Sequence, residues 1–328
     1  MHGECQGKTS SPPSWALYTV TLLRALRRFN PGVTISDVQE QNPIHRVADM
    51  FVDDCDLWTE LATDATEEEL VESFRKAAQS WERFLFTSGG LLALHKCYWW
   101  MIAWDWSQGL PRPCETEVDE HELSLSNGTN PALIPIKRLE LDEANIAPGL
   151  RLAPSGNQEC EIKHRVKMVT AMASRLNAVS LNHTEVWLFY RSIFIPKVFY
   201  LCKITALRCS EWNAILRPIT SSLVCKMGFN RHTSRAIVFG PPRLGGIGLV
   251  HGYGQQGSER IIHFLSHVRD GSDVGKMMLN TLSHLQLFSG QLIGLLENPQ
   301  PLPVVRLCKG QNLYRWRHLG RGWLLSLR

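Results

Sequence analysis

The chain has 328 residues, 44% of them hydrophobic and 20% charged, with eleven Trp; this is about two domains of ~150 residues and excludes a disulfide miniprotein or a disordered chain. Nine cysteines fall singly with no CxxC pair, so they read as reduced thiols of an intracellular protein, nuclear or cytoplasmic, and not as a secreted framework or a zinc module. The net charge of +4 is uneven: Val186 to Arg243 holds nine basic residues against the single acid Glu211, a net +8 that leaves −4 for the remainder.

In chain order, Pro12 and Pro13 mark a helix start, with Trp15, Leu17, Val20, Leu22, Leu23 and Leu26 as its apolar positions and Asn30-Pro31-Gly32 as its stop. Val47 to Val52 and Cys55 to Trp58 then read as a hairpin with Asp53-Asp54 at its turn. Thr66 and Glu69 form a capping box, and Leu70, Phe74, Ala77, Ala78, Trp81, Phe84 and Leu85 recur at helical spacing until Gly89-Gly90. Tyr98 to Trp106 reads as one buried strand, and Gly109 to about Asn130, Pro-rich and acidic, as a loop. A strand at Gly149 to Leu152 leads through Pro154-Ser155-Gly156-Asn157 into a helix over Glu161 to Leu176. Asn182 with Glu185 caps a helical stretch reaching Lys226 with a break at Pro196, and a last helical segment ends near Leu296. The most apolar stretch, Val186 to Ile204, contains Arg191, Pro196, Lys197 and Lys203, so no membrane span is expected.

Two constellations invite a chemical reading. Adjacent carboxylates at a strand turn repel unless a divalent cation or a basic partner neutralises them, although acids are common in turns and, on this tetrapeptide alone, an exposed turn that happens to contain Asp-Asp-Cys-Asp is the simpler reading. In the +8 window Arg191, Lys197, Lys203, Arg208, Arg217, Lys226, Arg231, Arg235 and Arg243 interleave with Trp187, Phe189, Tyr190, Phe194, Phe199, Tyr200 and Trp212. That mixture offers a polyanion both phosphate partners and stacking surface, or else is a solvated face over core aromatics. Gly245-Gly246-Ile247-Gly248 lacks the Gly-Lys-Ser/Thr ending of a phosphate loop and reads as a backbone turn. His232, His251, His263, His267 and His284 have no zinc-ligand spacing with a Cys pair, and Cys55 would need a poised His to act as a nucleophile.

Gln6-Gly7-Lys8-Thr9-Ser10-Ser11-Pro12, Phe51-Val52-Asp53-Asp54 and Ser88-Gly89-Gly90 followed by Lys96 stand in the order and at the spacing of reverse-transcriptase motifs B, C and D. The chain resembles the non-LTR retrotransposon type, and the likeness continues through Pro148-Gly149-Leu150, Ile195-Pro196-Lys197 and Phe239-Gly240-Pro241 to about Leu249. The resemblance implies Asp53 and Asp54 as metal acids for paired Mg²⁺ ions, and Lys96 as a cation near the leaving pyrophosphate. It places Gln6, Gly7 and Pro12 beside the incoming deoxynucleoside triphosphate and template, and makes the basic segment a thumb gripping an RNA template and DNA primer through their phosphates. It also implies an α+β chain: a partial polymerase palm over 1–110, a loop or insertion over 111–145, a thumb-like basic helical region over 146–250 and a C-terminal helical region over 251–328. The family's motif A, with another essential Asp, lies upstream of motif B, where only Met1 and His2 precede Gly3 here. A C-terminal fragment or decayed copy, inactive in nucleotidyl transfer, is therefore the expectation, with a non-catalytic nucleic-acid-binding remnant as the alternative and a helical interaction protein behind both.

Overall fold

Residues 11–51, 54–62, 64–105, 112–113, 121–147, 149–200 and 202–289 are described by a computed structural model. They divide between two units, Met1–Glu143 and Ala144–Arg328. Helices dominate and the sheets are small, a mixed α and β composition.

In the first unit α1 (Ser11–Leu26) ends ahead of Asn30, which does more than stop a helix. Its buried amide donates to the carbonyls of Val47 (3.1 Å) and Trp58 (2.9 Å), and its Oδ1 accepts from Gly32 N–H (3.0 Å) and the Thr59 hydroxyl (2.8 Å). These bonds tie the helix end to the base of the following hairpin. An unforeseen antiparallel pair, β1 (Val33–Ile35) and β2 (Ile44–Arg46), precedes the expected hairpin of β3 (Ala48–Phe51) and β4 (Asp54–Leu57).

Helix α2 (Glu67–Thr87) starts at the predicted box: Thr66 Oγ1 accepts Glu69 N–H at 3.2 Å, and Glu69 Oε2 accepts Thr66 N–H at 2.9 Å. Its Trp81 joins Leu22 and Leu26 in one core, and Ala78 joins Leu94, Trp99, Leu123, Leu125 and Ile136 in another. The single strand expected over Tyr98 to Trp106 is instead two, β5 (Tyr98–Trp99) and β6 (Trp104–Asp105), the latter paired with β7 (Arg112–Pro113). The cause is the partner's length. β5 runs parallel to the end of β9, where Trp99 faces Arg138, the last residue of that strand.

The loop expected from Gly109 to Asn130, and with it the 111–145 insertion, contains a second hairpin, β8 (Leu123–Asn127) and β9 (Asn130–Arg138). Leu123 and Leu125 are buried, and Gly128 adopts φ 59° in the two-residue connection, where a left-handed residue is needed. Three side chains of α2 hold that turn. Glu82, fully buried, accepts Gly128 N–H at 2.7 Å, Arg83 donates to Gly128 O (2.6 Å) and Ser126 Oγ (2.9 Å), and Gln79 accepts Ser126 N–H at 2.9 Å. Of the acidic cluster, Glu115, Glu117, Asp119 and Glu120 lie outside the described residues.

The second unit opens with β10 (Asn145–Ala147) paired to β11 (Leu150–Leu152), followed by α3 (Glu159–Ala178). Helix α4 (His183–Phe189) begins at the predicted Asn182–Glu185 cap. No break occurs at Pro196: one π turn over Tyr190–Phe194, with Ile195 N–H bonded to Tyr190 O, passes directly into α5 (Ile195–Phe199). The proline directly follows the π turn, whose local widening of the helix accommodates a residue that has no N–H to donate. The chain leaves the helix only after Phe199, and α6 (Cys209–Lys226) and α7 (Arg235–Phe239) follow. The expected last segment is two helices, α8 (Gly252–Arg269) and α9 (Asp273–Ser289), parted at Gly271 with φ 61°; residues 290–296 lie outside the description.

Val169, Leu176, Val186, Tyr190, Phe194, Trp212, Ile215 and Leu223 form the centre of this unit. Buried Gln256 of α8 joins it, accepting from Trp212 Nε1 (3.1 Å) and Leu207 N–H (3.0 Å) and donating to Leu207 O (2.8 Å), so residues on both sides of position 250 share one unit. The Gly245 to Gly248 run is a backbone turn: a Cβ on Gly246 would collide with the Gly240 carbonyl, and Leu249 N–H reaches Val238 O at 3.0 Å. Among the described residues no helix is long and apolar enough to cross a membrane.

Candidate nucleic-acid interface

The β3–β4 register sorts the acids onto one face. Met50 opposes Cys55 and Ala48 opposes Leu57, and all four pack with Leu22, Leu26 and Trp81. The period-two alternation then sets Asp49, Phe51, Asp54 and Asp56 on the other face, with Asp49 directly opposite Asp56 and Phe51 opposite Asp54. Arg46 pairs with Asp49, whose Oδ2 also accepts from Trp58 Nε1 at 3.0 Å. Asp54 and Asp56 are exposed. Partial loss of hydration, and then the Asp54 charge, push the Asp56 carboxyl up from its ordinary value. Asp53 lies outside the described residues.

Lys96 is exposed at the end of a single 3₁₀ turn, Leu94–Lys96. Two residues on, the Tyr98 phenol is raised by burial and by the fields of Asp56 and Asp54, so the segment after Lys96 and the acidic face are electrostatic neighbours. Cys55, on the apolar side, has its thiol pushed up to about 12 by burial and Asp56, which holds it protonated and unsuited to nucleophilic attack at neutral pH. The six described cysteines are free thiols. Gln6 and Gly7 lie outside the described residues; Pro12 falls in the first turn of α1, with its side chain outside the description.

Mg²⁺ is the ion the resemblance implies. Among the described residues no three His, Cys, Asp or Glu side chains converge to hold a metal. With Asp49 engaged by Arg46 and Trp58, Asp54 and Asp56 alone do not amount to a Mg²⁺ ligand set.

The basic window belongs wholly to the second unit, and its two residue classes part company there. Tyr190, Phe194, Phe199 and Trp212 are buried in a chain of ring contacts with centroids 5.4 to 6.2 Å apart. They are core and offer no stacking platform; Tyr200, 69% exposed, is the aromatic of this window most open to solvent. Arg191, Lys197, Lys203, Arg208, Arg217, Arg231, Arg235 and Arg243 are exposed, and Lys226 is half-buried with its ammonium on Val179 O at 2.8 Å. Arg191 lies over Trp187, Arg231 donates to His232 (3.0 Å), and Arg235 donates to Asn213 Oδ1 (3.2 Å). Among the described residues no carboxylate forms an ion pair with Arg191, Lys197, Arg208, Arg217, Arg231, Arg235 or Arg243. Arg191, Lys226, Arg231 and Arg235 are thus held by an aromatic face or by uncharged acceptors and imidazole, which leave their positive charge in place.

Two of the histidines that lack zinc-ligand spacing with a Cys pair stand together in the second unit. His263 and His267, one turn apart on α8, bring their rings to 4.4 Å at 87°; their spacing of four within a helical pattern was the available signal.

No family model matches the chain, and no curated protein or solved structure aligns with it.

Proposed function

We propose that the second unit binds nucleic acid through its phosphate backbone. The observation that carries this is the set of exposed cations Arg191, Lys197, Arg208, Arg217, Arg231, Arg235 and Arg243, which form no ion pair with a carboxylate among the described residues, mounted over an aromatic core. Such a surface reads charge and spacing and no base edges, so its ligand is a duplex or single strand of any sequence. Binding of a labelled RNA–DNA hybrid that weakens steeply with salt supports the proposal; no binding at low salt overturns it.

A second reading rests on the first unit: the chain is a palm-and-thumb portion of a reverse-transcriptase-type protein, with Asp53 and Asp54 as surviving metal acids, Lys96 beside them, and RNA template, DNA primer and deoxynucleoside triphosphates as ligands. In its favour stand the order of the sequence motifs and the hairpin, whose apolar face seats on α1 and α2 while Asp54 and Asp56 remain on the open face. Primer extension on poly(rA)–oligo(dT) with Mg²⁺, comparing the chain with Asp53→Asn, tests it. Incorporation lost in the variant supports catalysis by these acids. Binding of the duplex without incorporation leaves the grip alone.

A further inference from the structure

In the first unit, α2 and the chain just past α1 enclose a groove of about 530 Å³, lined by Phe29 on one side and by Arg75, Lys76, Arg83 and Phe84 of α2 on the other. Phe29 is 56% exposed, and its ring stands 5.7 Å from that of Phe84 at 57°. Phe84 in turn packs against the core of Leu22, Leu26 and Trp81. Phe29 N–H is bonded to Leu26 O at 2.9 Å, and the next residue is Asn30 with its four hydrogen bonds. The ring is thus fixed from behind and along the chain while more than half of it faces water.

Positions 1–143 hold 12 Lys and Arg against 23 Asp and Glu, so a cluster of cations in this unit stands out from an acidic background. Arg75 donates twice to Glu72, at 2.7 Å each, and Lys76 lies 3.4 Å from the same carboxylate, so one negative charge answers two positive ones. Buried Glu82 stands 3.5 Å from Arg83, whose terminal nitrogens are engaged by Gly128 O and Ser126 Oγ. Arg27 and Arg28, just before Phe29, are exposed and form no ion pair among the described residues, and no acid occurs from Ser11 to Ser36. The uncharged polar groups of the wall are committed: Gln79 donates to Glu82 (2.8 Å) and accepts Ser126 N–H (2.9 Å), and Ser80 Oγ donates to Lys76 O (2.7 Å). The groove therefore presents a ring face and surplus positive charge, with no neutral donor and acceptor pair arranged to read a base edge.

We propose that this groove takes up one unpaired nucleotide of a single-stranded nucleic acid, its base stacked on Phe29 and its phosphate against Arg75 and Lys76. Arg27 and Arg28, adjacent in the chain to Phe29, add positive charge for the flanking phosphates. A nucleotide brings a planar ring and an anion in one unit, the two features for which the groove supplies partners, whereas an acidic side chain of a peptide brings the anion alone. Every base has a stacking face, so any base serves; a base inside a duplex is already stacked on its neighbours and does not reach the ring. The proposal goes beyond the backbone reading of the second unit, because it assigns the first unit a site that distinguishes single strand from duplex.

The test uses the full chain with an oligo(rU) carrying 5-iodouridine, which photo-crosslinks to aromatic side chains in contact with it, and an RNA–DNA hybrid as the duplex control. A crosslink at Phe29 or Phe84 is expected, and Phe29→Ala is expected to weaken oligo(rU) binding about fivefold or more, near the lower end of what one stacked base contributes, with hybrid affinity unchanged. Lys76→Gln, on an exposed residue, is expected to lower the salt slope of oligo(rU) binding by about one, and it serves if circular dichroism shows Phe29→Ala to be misfolded. Single-strand affinity unchanged in both variants, or crosslinks confined to the second unit, overturns the groove and leaves the backbone reading standing. A Phe29 crosslink with the hybrid left unbound supports the groove and overturns the backbone reading, and no binding of either nucleic acid at low salt overturns both. Uridine monophosphate that abolishes the Phe29 crosslink while the RNA stays bound marks a free-nucleotide site, and poly-L-glutamate that competes as well as unlabelled oligo(rU) marks a surface for acidic protein; either overturns the assignment to a strand.

Discussion

Arg191 places its guanidinium carbon 5.2 Å from the centroid of Trp187, whose ring in turn meets buried Tyr190 edge-on at 5.7 Å. An exposed cation is thereby docked on the core through an aromatic intermediary, which limits its rotamers while leaving guanidinium donors for a phosphate. Arg191→Lys keeps the charge and loses the planar stack, so it is expected to weaken duplex binding by about threefold, an exposed stack contributing ~0.5–1 kcal/mol. Arg191→Gln is expected to weaken binding further and to lower the salt slope by about one. Anisotropy titrations at several salt concentrations separate the two.

The second unit depends on a buried ion pair. Arg165 donates to Glu161 Oε1 at 2.6 Å and to Val198 O and lies over Trp212, while Glu161 Oε2 accepts Arg151 N–H at 3.0 Å. Removing one partner leaves an uncompensated charge, so Arg165→Met is expected to cost about 3–5 kcal/mol, and replacing both residues with apolar ones of similar volume much less. Urea denaturation of the single and double variants measures the difference.

On the acidic hairpin face Asp56 confronts Asp49 across the strands and Asp54 along its own. Its carboxyl is raised in the folded chain by lost hydration first and by Asp54 second. A carboxyl raised on folding binds its proton more tightly in the folded state. Its penalty is therefore fully present above the folded value and relieved as pH falls through it toward the ordinary 3.8. Asp56→Asn is expected to stabilise the first unit at pH 7, by less than about 1 kcal/mol because the carboxyl lies on an exposed, screened face, and to make no difference near pH 3. Thermal melts across that range check the sign.

The α2 clamp on the β8–β9 turn gives a local readout. Glu82→Leu removes the acceptor of Gly128 N–H and is expected to cost about 1.5–3 kcal/mol, as for a hydrogen bond to a charged group. Amide exchange at Gly128 should accelerate well before that of Leu125. Uniform loss of protection would mean that Glu82 supports the whole unit and not the turn.

Legibility followed range in sequence. The Thr66–Glu69 and Asn182–Glu185 caps, the Asn30 stop and the β3–β4 hairpin were readable because each is written within a few residues. The β8–β9 hairpin carries a local signal too, Asn127-Gly128 after the alternating Leu123 and Leu125, but it lies at the end of the Pro-rich, acidic stretch that reads as a loop. Pro196 misled because a π turn absorbs it. What no local rule supplies is pairing between distant segments: the confrontation of Asp49 with Asp56 needs the strand register, and the end of β5 at Trp99 depends on where β9 stops. At the candidate site, the cations of the basic window stayed outside as their charge demands, while the adjoining aromatics, equally suited to stacking and to packing, went to the core.

The most direct measurement is the salt dependence of RNA–DNA hybrid binding by the wild type and by a variant carrying Arg191→Gln, Lys197→Gln, Arg217→Gln and Arg235→Gln. Backbone recognition by this surface predicts a linear fall of log affinity with log salt whose slope decreases by about one for each contact removed, with the fold unchanged. A slope unaltered in the variant, with binding intact, would contradict it.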